Sequence, residues 1–266
     1  MNNPFLKELA QNPIANTFKL AFKMFLSNKF LFTIVTIMFT SFTIIQYVAP
    51  LTFGRQLAEI SMVLMIAVIL FMNSITQIFT QANYLYICKM LLDSSSEEEC
   101  VNTMASTMVS TLFTHYFVRA IGSSFAIVLM VLPFIAMREE LNMGAYWDMF
   151  LMLLLLLVLY VYPIVAYKIT LSKNFKEAFI STFSFFSPAV WKQSFNLSYA
   201  KFVVLMMVIL SGVYYGLDLL SEDAYYTDVS IVMMLIMAIF TMFVLLYILP
   251  ISMMIAENLS KKKGGN

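Results

Sequence analysis

A chain of 266 residues is long enough for one or two water-soluble domains, but 61% of its residues are hydrophobic and only 12% are charged. Soluble domains are about half apolar and a quarter charged, so the composition excludes that use of the length. Sixteen basic and fifteen acidic side chains leave a net charge of +1, which points to no nucleic acid and no strongly charged partner. The expectation is an all-α polytopic membrane protein forming a single integral membrane domain over residues 1–266.

Residues 1–29 read as a cytoplasmic, interfacial segment. Asn12 before Pro13 predicts a helix start, with Asn as the cap and Pro at the first helical position. Beyond it Ile14, Phe18, Phe22 and Phe25 fall on one helical face, with Lys19 and Lys23 together to one side. An amphipathic helix of that pattern lies in the headgroup plane. The first apolar run is too long for the core of a signal peptide, so it is expected to persist in the mature chain.

A hydrocarbon core of ~30 Å takes about 20 apolar residues as a helix. Six spans are predicted over residues 30–256, near Phe30–Val48, Ile60–Phe79, Phe117–Ala136, Trp147–Tyr167, Phe202–Leu220 and Val229–Ile255. The second is expected to continue as helix through Tyr84 and Tyr86. Between spans two and three, Ser94, Ser95 or Ser96 should cap an element over Glu97–Thr114, with Glu97 to Glu99 in its first turn, where the macrodipole favours them. Leu151 to Leu159 contains only Leu, Met and Val, so its helix should meet lipid or packed helices on every side. Asn174 opens a further amphipathic element carrying Phe175, Ala178, Phe179, Thr182 and Phe186 on one face and Lys176 beside it, ending near Pro188. Residues 257–266 form a cytoplasmic tail.

Lysine is retained on the cytoplasmic side of a membrane. Lys7, Lys19, Lys23, Lys29, Lys89, the five lysines from Lys168 to Lys201, and Lys261 to Lys263 all fall on one side of the six-span arrangement. The other side holds Arg55 and Arg138 against eight carboxylates. Both termini are therefore expected to be cytoplasmic, in a cell inner membrane. Cys88 and Cys100 then lie in a reducing compartment, where a structural disulfide is not expected and their spacing is no zinc pattern.

Two groups of residues could carry chemistry. His115 precedes Arg119 by one turn, and together with Lys19, Lys23 and Lys176 they are candidates for an anion or lipid-headgroup site; the plainer alternative is an arginine snorkelling to the interface. Asn73, Thr76, Gln77, Thr80, Gln81 and Tyr84 form a polar stripe on span two, either lining a hydrophilic path or hydrogen-bonding to neighbouring helices, with the second expected because no intramembrane carboxylate accompanies it. Asp148, Asp218 and Glu257 fall at span ends, where solvated placement is expected. Pro133, Pro163 and Pro250 should bend their spans by freeing a carbonyl. Trp147 and Trp191 occupy opposite interfaces as anchors, and the 22 methionines read as flexible filler needing no metal. With no second His, H-E-x-x-H, G-x-S-x-G, P-loop or dinucleotide fingerprint, neither an enzyme nor a cofactor or metal site is expected.

Phe18-Lys19-Leu20-Ala21-Phe22 overlays Phe175-Lys176-Glu177-Ala178-Phe179, and Leu159-Tyr160-Val161-Tyr162-Pro163-Ile164 overlays Leu246-Tyr247-Ile248-Leu249-Pro250-Ile251. These matches suggest a unit of interfacial helix, span, outer turn and span used three times. Amphipathic F-K-x-A-F helices leading into paired spans resemble the bacterial six-span integral membrane proteins related to the membrane domain of glycerophosphodiester phosphodiesterases. The resemblance implies a fold and no catalytic residues, since in those enzymes the chemistry resides in a separate soluble domain. The functional expectation is a scaffold or accessory subunit that binds membrane lipid, a protein partner or a second copy through its cytoplasmic helices; a permease or lipid-handling transporter is the alternative.

Overall fold

The computed structural model describes residues 3–37, 39–41, 75, 78–108, 116–141, 145–222 and 229–261. Among these there are helices and no strands. In chain order they are α1 (Pro4–Leu9), α2 (Pro13–Ser27), α3 (Lys29–Ser41), α4 (residues 78–93), α5 (Glu97–Ala105), α6 (Phe117–Leu141), α7 (Ala145–Leu171), α8 (Phe175–Thr182), a 3₁₀ turn (Phe183–Phe186), α9 (Pro188–Ser194), α10 (Leu197–Glu222), α11 (Val229–Phe243), a π turn (Val244–Ile248) and α12 (Leu249–Lys261).

Among the described residues, three stretches are long and apolar enough to cross a membrane, Met149–Leu171, Leu197–Leu217 and Leu235–Lys261. A fourth arises if α2 and α3, bent by 89° at Asn28, count as one span. Phe117–Met130 is a shorter apolar helix. The expected second span falls largely outside the described residues, as do the end of the first beyond Ser41, the expected continuation of the α5 element past Met108, and residues 142–144 and 223–228 between later spans.

Helix ends are settled by asparagine and serine. Asn3 accepts from the amides of Phe5 and Leu6 at the start of α1, while its own amide donates to the carbonyls of Leu91, Leu92 and Ser94 at the end of α4. Asn28 does the same at the α2–α3 bend, accepting from the Leu31 amide and donating to the carbonyls of Met104 and Thr107 at the end of α5, 2.9 Å each. Ser96 is the cap of α5 and Asn174 that of α8. The expected cap at Asn12 is corrected: its side chain makes no such bond. Pro13 still starts the helix, because the amide it lacks would have had no partner in the first turn.

The core gathers around α12. Ten of its residues from Pro250 to Ser260, all but Asn258, are buried. It packs on α1, α2, α7, α9 and α10, and α4 is tied to it through Tyr84 and Cys88 and to the preceding π turn through Asn83. α7 passes from one regime to another along its length. Residues 151–160 have no buried member, whereas Val161, Ile164, Val165, Ala166 and Ile169 are buried. An apolar half-helix left open in this way suits a hydrocarbon surrounding, and the packed half suits the protein end where the short helices converge.

Pro133 and Pro163 lie inside unbroken helices. Pro250 stands two residues beyond the end of the π turn. Its ring cannot donate to the carbonyl of Leu246 four residues back, and the freed oxygen accepts from the Asn83 amide at 3.5 Å. α8 packs closely along α6 at Gly122, where an added Cβ would stand 2.6 Å from the carbonyl oxygen of Phe175. Because that atom is backbone, α8 would have to shift. Gly122→Ala should lower stability by about 1–3 kcal/mol, read as a reduced thermal midpoint of the solubilised full chain. Gly212→Ala, with nothing within 4 Å of its added Cβ, should leave the midpoint unchanged or raise it.

Candidate functional site

α2 presents three faces. Thr17, Leu20, Ala21 and Met24 are buried. The expected apolar face stands beside them: Phe22 is 55% exposed, and Phe25 packs edge-on to Phe32 and Phe243. It borders an open groove of about 330 Å³ lined by Phe22, Phe25, Phe32, Ile236, Ile239 and Phe243 among others. The third face carries Lys19 and Lys23, one turn apart. Both are ion-paired with Glu97 in the first turn of α5, Lys19 at 3.5 Å. The hydrogen bond from Lys23 holds the Glu97 carboxyl below its ordinary range, burial opposing and the two ammonium charges assisting. Glu99 is likewise lowered by the Ser95 hydroxyl and backbone amide. The charge that the sequence offers to lipid on α2 is thus met in part within the protein, two lysines sharing one carboxylate.

The polar stripe is divided. Asn73, Thr76 and Gln77 lie outside the described residues. Thr80 is half-buried on α4. Gln81 donates to the Tyr162 hydroxyl of α7 at 3.1 Å, Asn83 to Leu246, and the Tyr84 hydroxyl meets the Met253 sulfur. The described polar groups therefore bridge α4 to α7 and to the π turn and α12. Cys88, fully buried beside them, has its thiol pushed up to about 12 by burial, and burial raises the Tyr84 hydroxyl as well. Cys100 is pushed up to about 11, again mainly by burial. Both cysteines are free, and at neutral pH neither forms an appreciable thiolate.

His115 lies outside the described residues. Arg119 stacks over the Tyr116 ring, 5.3 Å from its centroid, and its Nε is buried with no hydrogen-bond partner among the described residues. Lys176 is exposed on α8, which packs against the helix that carries Arg119. Trp191 donates to the Phe185 carbonyl at 2.8 Å, joining α9 to the preceding 3₁₀ turn, and Trp147 is buried. Among the described residues no three His, Cys, Asp or Glu side chains come together as a metal site.

Glu257 departs from the sequence expectation. The sequence places it solvated at a span end, but the residue is 3% exposed. α1 and α9 close over this end of α12: Asn258 donates to the Leu6 carbonyl and Gln193 to the Ser260 hydroxyl. Lys261 supplies the counter-charge at 2.5 Å and lies 3.9 Å from the centre of the Tyr167 ring. The side chains of Asp148 and Asp218 lie outside the described ones. The bridging roles of Asn3, Asn28 and Asn83 were not anticipated. A signal existed for the first, since Asn3-Pro4 repeats the Asn12-Pro13 pattern.

Compared with family models, curated proteins and solved structures, the chain matches none.

Glu97 has its folded carboxyl lowered, so its ion pairs stabilise the fold above the unfolded value near 4.3 and lose that contribution as pH falls through the lower folded value. Glu97→Gln should cost under about 1 kcal/mol near neutral pH, as exposed pairs do. Thermal midpoints of variant and wild type should converge on acidification; a constant difference down to strong acid would refute the pairing as its source.

Proposed function

We propose that the chain is a non-enzymatic, multi-pass protein of the cell inner membrane, a scaffold or accessory subunit that holds lipid or a partner protein on its cytoplasmic short helices. Its arrangement is read as six spans with both termini inside. The observation that carries this reading is the uneven packing. Side chains are buried where α1, α2, α5, α8 and α9 meet the ends of the long helices, while residues 151–160 of α7 and most of the Leu197–Leu217 stretch stay open and apolar. A protein with its built surface at one end and plain hydrocarbon-facing helices beyond suits display at the membrane surface.

The threefold unit is part of the same proposal. Its support, for two of the three units, is that some matched positions behave alike: Ala21 and Ala178 are both fully buried, as are Val161 and Ile248, while Ile164 and Ile251 are buried to within 1%; Leu159, 43% exposed, and Leu246, 1% exposed, are unlike. The likeness in architecture to the membrane domain of glycerophosphodiester phosphodiesterases is proposed on the same elements. The alternative, a permease or lipid-handling transporter, places its path on the polar face of span two; helix bridging is preferred for that face because Gln81 and Tyr84, at its described end, are engaged between helices.

Two measurements test this. Cys88 and Cys100 are buried, so single-cysteine probes can be placed in the otherwise unaltered chain. In intact cells an impermeant maleimide should label Asn142→Cys, and Lys176→Cys only after lysis; the reverse order overturns the topology. Proteoliposomes holding the purified protein should keep a trapped ion gradient and labelled solute. Selective release would replace the scaffold with a transporter.

A further inference from the structure

The connection between α7 and α10, residues 172–196, joins the ends of two candidate spans, Met149–Leu171 and Leu197–Leu217. Its two ends are therefore anchored at one bilayer surface. α8 buries Ala178 and Thr182 and turns Lys176 and Ile180 outward, the latter 57% exposed. Phe186 and Phe195 are 65% and 77% exposed. Lys173, Lys176 and Lys192 are exposed too, and none has an ion-pair partner among the described residues.

Charge distinguishes this surface from α2. From Met149 to Leu217 the only carboxylate is Glu177, and it is turned back onto the start of its own helix, accepting from the Lys173 amide at 2.8 Å and from the Asn174 side chain at 3.3 Å. The lysines of α2 share Glu97 instead. Unneutralised lysine beside exposed aromatic rings, held at the level where two spans leave the bilayer, is complementary to an anionic interface.

We propose that the 172–196 connection binds anionic phospholipid of the inner leaflet, with Lys173, Lys176 and Lys192 at the phosphates and Phe186 and Phe195 among the upper acyl carbons. The inference rests on the reading of the chain as a membrane component with these short helices on the cytoplasmic side, and it moves the lipid contact from α2 to α8 and α9.

The full-length protein in neutral detergent micelles is titrated with phosphatidylglycerol or with phosphatidylcholine of the same chain length, and bound lipid is counted by native mass spectrometry. Wild type should prefer phosphatidylglycerol, and the preference should shrink at high ionic strength. The triple variant K173Q/K176Q/K192Q should lose affinity for it by roughly a hundredfold, about fivefold for each lysine, with an unchanged thermal midpoint. The double variant K19Q/K23Q should retain it. Equal losses in both variants, or none in the triple, overturn the assignment. A wild type indifferent to lipid charge that retains an acidic protein subunit also overturns it, giving the surface to that subunit and leaving the scaffold reading intact, whereas solute release from proteoliposomes strikes the scaffold reading alone.

Discussion

Helix ends are the constraint around which this protein is built. Each α-helix leaves four amides and four carbonyls without intrahelical partners, and a largely apolar chain cannot leave such groups buried and unmet. Asn3 and Asn28 each solve the problem for two helices at once, capping one start and one end with a single side chain. Asparagine can do this because its amide carries both acceptor and donor. The 89° turn between α2 and α3 follows from it: Asn28 closes α3 at its start while α5, held from the same side chain, closes the corner from outside.

The same accounting runs through the centre. Pro250 removes one backbone donor and displaces the ladder, the helix widens to a π turn over Val244–Ile248, and the displaced Leu246 carbonyl receives Asn83 from α4. Removing a hydrogen bond within one helix thus creates a link between two. α12, whose last residues beyond Ile255 read as the end of a span, is the helix around which the described core gathers: α1 and α9 fold over it, and Lys261 offsets part of the cost of burying Glu257.

Electrostatics divides the short helices into two kinds. On the α2 side the acidic first turn of α5, placed there by its Ser96 cap and favoured by the helix dipole, meets Lys19 and Lys23. On the α8–α9 side the single carboxylate serves as a cap and leaves the lysines open. Two segments with the same F-K-x-A-F letters therefore present different surfaces.

Much of the architecture was legible in the residues themselves. Apolar composition and run length dictate long helices, since only a helix satisfies its own backbone across hydrocarbon; the unbroken apolar run Leu151–Leu159 and the continuation of helix beyond Phe79 through Tyr84 and Tyr86 were legible, whereas its extension to residue 93 was not. Ser96 and Asn174 act locally, within three residues, so sequence determined the cap at Asn174 and narrowed that of α5 to three adjacent serines, of which the structure uses Ser96. Asn28, Asn83 and Glu257 were beyond such a reading, because their partners stand on other helices and any asparagine or carboxylate near a span end looks the same until those helices are placed. The fate of Lys19 and Lys23 is of that kind as well. Their positive face is written in the 3.6-residue repeat, but whether it meets lipid or Glu97, 74 residues beyond Lys23, was decided only when tertiary packing brought α5 against α2.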